Sequence, residues 1–88
     1  MTNERLKEIL WMVQRLNGNY LCHRLEYLYD NRQIDIVEFT TVNEHMFERR
    51  PSQYKSLYWW GETPDTVRLQ NVWLQQKHDW LQKLIDEL

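Results

Sequence analysis

Apolar residues recur along the chain in four runs with helical spacing. In the first, Leu6, Ile9, Leu10, Val13 and Leu16 keep the i, i+3, i+4, i+7 intervals of one buried face. They predict a helix from about Glu4 to Leu16, with Thr2 or Asn3 as cap, Glu4 at the positive end of the dipole, and Asn17-Gly18 as stop. Trp11 does not belong to this stripe. At ~100° per residue it points roughly 160° away from the centre of the face, with Met12 on the flank. An outward Trp beside Met is the first sign of a contact surface.

A second helix, capped by Asn19, runs to about Tyr29 with Leu21, Leu25 and Leu28 inward. Cys22 and Tyr29 lie at one edge of its face, Tyr20 and Tyr27 at the other. Asp30-Asn31-Arg32-Gln33 supplies the turn. The third run opens on a capping-box pattern, Asp35 with Glu38, and places Ile34 and Phe39 at the hydrophobic-staple positions. Ile36, Phe39, Met46 and Phe47 continue one face, with Asn43 in its middle. The β-branched stretch from Ile34 to Val42 also suits a short strand, but two independent start signals favour helix. Arg49-Arg50-Pro51 ends the run, because proline disfavours a helical residue before it. Residues 51–62 form the only long connection. Thr63-Pro64-Asp65 then combines a cap, a proline at the first helical position and an acid in the first turn, opening a helix toward Leu88.

That terminal helix is long for its neighbours: about 25 residues span ~37 Å, against ~20 Å for helices of about 13. Val67, Leu74, Leu81 and Leu88 repeat every seven residues with Ile85 beside them, while Leu69, Trp73, Trp80 and Leu84 form an adjacent stripe. Two arrangements fit. The helix is either a central element packed by the other three, or it turns one stripe inward and the other against a second copy or a target protein. The second arrangement puts Trp73, Trp80 and Leu84 at the contact, with Val67, Leu74, Leu81 and Ile85 toward the protomer's own core. A closed two-fold dimer is the commonest form of such pairing.

The pattern as a whole predicts an all-α domain, compact, of four helices, with the C-terminal one longest. At 88 residues there is room for one domain only. The formal charge of −2 argues against a general duplex-DNA binder. No apolar run approaches the ~20 residues of a membrane crossing, and the charged start carries no secretory signal, so a cytoplasmic protein away from membranes is expected. Cys22 alone excludes an internal disulfide framework and a finger-type zinc site; it is expected to be a small buried hydrophobe.

No catalytic motif is present, and enzyme activity is not expected. Gly18 and Gly61, the only glycines, cannot make a phosphate-binding loop. His23 with Glu26, and His45 with Glu48, have a helical i, i+3 spacing, but both pairs lie opposite the leucine stripes and in the reverse order of the bundle metal motif. Neither a metal nor another cofactor is expected. His78, beside the seven-residue stripe, reads as an interface or core residue.

The chain has five Trp and five Tyr and no alanine, more aromatic mass than a core this small needs. Much of it falls in Tyr54, Tyr58, Trp59 and Trp60, after Arg49 and Arg50 and around Lys55. Residues 34–48 carry four acids (Asp35, Glu38, Glu44, Glu48), and residues 49–60 only bases. Rings among cations suit three roles: a lid folded over the helical core, a protein hot spot rich in Trp, Tyr and Arg, or a platform that stacks nucleobases and neutralises phosphates.

The order of a leading helix, Leu21-Cys22, the Ile-Asp-x-x-Glu start from Ile34 to Glu38, and Tyr58-Trp59-Trp60 before a proline-opened terminal helix resembles certain short phage- and prophage-encoded helical proteins of unassigned function. The resemblance covers most of the chain and brings no catalytic residues. It implies a viral accessory protein in the host cell cytoplasm that binds and inhibits or modulates a host or defence protein. Trp11, Arg49, Arg50, Tyr54, Tyr58, Trp59 and Trp60 are the expected partner-binding residues, with homodimerisation through the terminal helix. The alternative is a nucleotide or single-stranded nucleic acid held by the basic-aromatic loop 49–60.

Overall fold

The computed structural model describes residues 1–18, 20–49 and 64–88, with side chains described for 1–18, 20–46, 48–49 and 75–88. Four helices follow in order: α1 (Asn3–Arg15), α2 (Leu21–Asp30), α3 (Ile36–Glu48) and α4 (Pro64–Glu87). The described residues contain no strand, so the β-branched stretch is helical. α4, at 24 residues, is the longest.

α1 and α3 begin for local reasons, with caps where the sequence puts them, while Thr63, the predicted cap of α4, lies outside the described residues. Thr2 Oγ1 accepts from Arg5 N at 3.2 Å and caps α1. At α3 the capping box closes in both directions: Glu38 N donates to Asp35 Oδ1 (2.7 Å) and Asp35 N to Glu38 Oε1 (3.0 Å). α2 differs from expectation. Its N-cap is Tyr20, in extended backbone and with no side-chain cap bond, one residue after the predicted Asn19, which lies outside the described residues.

The end of α2 is a left-handed cap made without glycine. Gln33 N donates to Leu28 O (2.9 Å) and Arg32 N to Tyr29 O (3.0 Å), the paired bonds of a Schellman motif. Arg32 occupies the left-handed position at φ +59°, which costs a side-chain-bearing residue about 1 kcal/mol. Replacing Arg32 with Gly, which carries no Cβ into that region, is expected to raise stability by about 0.5–1 kcal/mol, read from the urea midpoint at unchanged slope.

α1 is the hub of the fold, packing against each of the other three helices, while α2 also packs on α3. Leu6, Ile9, Leu10 and Val13 from α1 meet Leu25 and Leu28 from α2, Ile34 before α3, Val42 and Met46 from α3, and Trp80, Leu81 and Leu84 from α4. Leu16, Leu21, Phe39, Ile85 and Leu88 are partly buried against this cluster.

Two of the expected faces are rotated. On α3 the buried stripe is Phe39, Val42 and Met46, while Ile36 is exposed. Asn43 therefore faces solvent and not the middle of the face. On α4, Trp80, Leu81, Leu84, Ile85 and Leu88 fall within an arc of about 140° at ~100° per residue. What reads as two stripes is, over this half of the helix, one broad core face. Its polar member is Lys77, also buried, with its ammonium 5.9 Å from the centroid of Tyr20.

Candidate functional surface

Trp11 is where the sequence predicts it. The geometry of α1 sends Leu10 into the core and leaves the neighbouring Trp 47% exposed. One turn on, the Arg15 guanidinium carbon stands 4.9 Å from the centroid of the Trp11 ring. A cation stacked there holds the large ring in one orientation, an interaction of about 0.5–1 kcal/mol at an exposed site. Flat apolar area with a charged edge, already ordered, is the composition of a protein-binding hot spot.

A second set of exposed large hydrophobics lies at the junction of α2 and α3: Tyr29, Ile36 and Val37. Tyr29 is anchored from beneath by Phe39, with ring centroids 5.5 Å apart and planes tilted by 50°. Ile36 and Val37 occupy the first turn of α3, so the capping box that starts this helix also fixes their direction. Thr40 and Thr41, one turn on, turn their hydroxyls back to the carbonyls of Ile36 and Val37 (2.8 Å each). The signal in the sequence was the β-branched run; what hid its meaning was the assumption that Ile36 shares a face with Phe39.

Of the other predicted contact residues, Arg49 is described. Its exposed guanidinium forms an ion pair with Glu87 at 2.7 Å, and its backbone carbonyl accepts from the indole N–H of Trp80 at 3.1 Å. Arg49 therefore ties the end of α3 to α4. Arg50, Tyr54, Tyr58, Trp59 and Trp60 lie outside the described residues. Trp80 and Leu84, expected at a dimer contact, are 9% and 4% exposed and belong to the chain's own core. Their burial follows from the merging of the two stripes and withdraws both from an intermolecular surface. Trp73 is outside the described side chains.

Three smaller expectations also change. Cys22 is exposed, not buried, because Leu21, Leu25 and Leu28 take the inner side of α2. His78 is exposed on α4, which removes the core alternative for it. His45 is half-buried, and its pKa is lowered by burial first and by the nearby Arg49 charge second, with Glu48 and Glu87 opposing. His23, Glu26 and Glu48 are exposed as expected. Among the described residues, no cluster of three or more His, Cys, Asp or Glu side chains could hold a metal.

Sequence reasoning missed the inward polar residues. Gln14 is 4% exposed and its amide bridges α1 to α4, donating to His78 O and to Gln82 Oε1 at 3.1 Å each. Arg24 is 8% exposed and donates to the carbonyls of Gly18 and Val13, beyond and within the last turn of α1. Its charge thus offsets the negative end of that helix. Gly18 stands at φ +131°, a conformation strained for any residue with a Cβ. Polar residues at core-facing positions interrupt an apolar period, so periodicity counts them as surface. Comparison with protein-family models, with curated proteins and with solved structures gives no match.

Proposed function

We propose that this chain is a non-enzymatic protein-binding module of the phage-accessory kind, acting on a host or defence protein that it engages through exposed aromatic and aliphatic side chains. The observation that carries the reading is Trp11, half-exposed and stacked under Arg15 on the side of α1 turned away from the core. A core of this size has no use for that ring, while a partner gains a large, pre-ordered apolar contact from it. Tyr29, Ile36 and Val37 offer a further apolar contact at the α2–α3 junction.

Affinity capture from a bacterial host lysate, repeated with Trp11→Ala, is the first test, followed by calorimetry with the purified partner. Trp11→Ala is expected to keep its fold, with a stability change below about 1 kcal/mol. It is expected to weaken the complex by at least 2 kcal/mol, about thirty-fold, as hot-spot tryptophans do. A partner retained at full affinity by the variant would overturn the reading. So would saturable, salt-dependent binding of single-stranded oligonucleotides with no protein captured. In that case the basic-aromatic loop is the working surface.

A further inference from the structure

The corner where α1 ends and α2 begins encloses a groove of about 390 Å³, lined by Leu16, Asn17, Gly18, Tyr20, His23, Arg24 and Tyr27. A volume of this order is that of a small-molecule site. Tyr20 stands at the head of α2, with His23 and Tyr27 three and seven positions on, so their rings share one side. Tyr20 and His23 meet edge to face with centroids 5.1 Å apart. Among these rings lies the buried guanidinium of Arg24.

The state of Arg24 identifies the missing chemistry. A buried cation is ordinarily matched by an anion, since desolvating it alone is costly. Among the described residues no carboxylate pairs with Arg24, and no acid lines the groove. Its Nε and Nη2 are turned to Gly18 O, and Nη1 reaches Val13 O only at 3.4 Å. These carbonyls supply partial charge, not a counter-ion. Three bonds also use three of the five guanidinium donors, leaving one N–H on each terminal nitrogen. Burial accordingly pushes the guanidinium's pKa down, with no neighbouring charge to hold it up.

We infer that this groove binds a small aromatic anion, its carboxylate or phosphate on Arg24 and its ring among Tyr20, His23 and Tyr27. The anion completes the buried cation with charge-assisted hydrogen bonds, and the organic part covers the exposed rings of His23 and Tyr27. The site shares no residue with the Trp11 surface, so the two stand or fall separately.

The test is a titration of ¹⁵N-labelled protein with phenyl phosphate, benzoate, inorganic phosphate and, as the neutral control, benzyl alcohol, following backbone amides and the Arg24 Nε–H. Expected are saturable shifts centred on Gly18, His23, Arg24 and Tyr27 with phenyl phosphate or benzoate, and none with benzyl alcohol. The tighter of the two identifies the acid preferred. Tyr27→Ala, at a half-exposed position that leaves the core intact, is expected to weaken the aromatic anion about ten-fold while leaving inorganic phosphate unchanged. Arg24→Gln, where it folds, is expected to abolish both. Shifts spread over Arg15, Arg32 and Lys83, an equal response to benzyl alcohol, or full affinity in Tyr27→Ala would each overturn the assignment.

Discussion

Trp80→Glu is expected to leave the chain unfolded at room temperature, and Trp80→Ala to cost about 3–5 kcal/mol. The side chain is 9% exposed, in the same cluster as Ile9, Leu10 and Val13 of α1. Its indole N–H also binds Arg49 O, so truncation both opens a cavity and releases the carbonyl that closes α3 onto α4. A carboxylate at that position adds an unpaired buried charge to those losses. Small domains hold only about 5–15 kcal/mol in total, so the alanine variant survives as a weakened fold and the glutamate variant does not. Urea unfolding at neutral pH measures the first, and circular dichroism the second. Sedimentation of the same proteins separates a core role from a dimer seam. A Trp80→Glu protein that stays helical while the wild type loses a dimer would mean that Trp80 serves an interface after all.

That result bears on how far the sequence carries. The first-turn chemistry of α1 and α3 was legible because caps and staples are local: Thr2, Asp35 and Glu38 act on backbone within three residues. The inner face of α1 was legible because five apolar residues fit one period, although Gln14, buried on the same face, was not. α4 was misjudged because Trp80 and Leu81 are adjacent in sequence, and adjacency splits one broad face into two stripes on a heptad template. Whether such a face is covered by its own chain or by another depends on where α1 lies, which is a tertiary fact. The same holds for Arg24. A lone arginine among leucines looks solvated until Gly18 turns its carbonyl back toward α2, and nothing in the spacing announces that turn. The Trp11 surface was visible early, because an outward ring violates the pattern of its own helix.

Glu38 combines local and tertiary roles in one carboxylate, and its removal is expected to be the most costly loss among the surface-facing residues. Oε1 closes the capping box on Asp35 N at 3.0 Å, while Oε2 accepts from Arg5 Nε across the α1–α3 contact. Arg5 is committed on several sides, with Nη1 on Glu8 at 2.9 Å and Nη2 on Gln33 O at 3.0 Å. The Arg5 hydrogen bond, and after it the Asp35 N–H, hold the Glu38 carboxyl below its ordinary pKa. A carboxyl whose pKa is lower folded than unfolded contributes stability above its unfolded value, about 4.3, and loses it as pH falls through the folded one. Glu38→Ala, which removes both the cap and the ion pair, is therefore expected to cost about 2 kcal/mol at pH 7. Glu38→Gln retains a side chain able to close the box and forfeits the charge, at about 1 kcal/mol. Urea titrations at pH 7 and pH 3 check the sign. The gap between wild type and Glu38→Gln should narrow toward acid, as the native carboxyl takes up its proton and the charge is lost. A gap that persists undiminished at pH 3 would assign the stabilisation to shape and not to the charge of the Arg5–Glu38 pair.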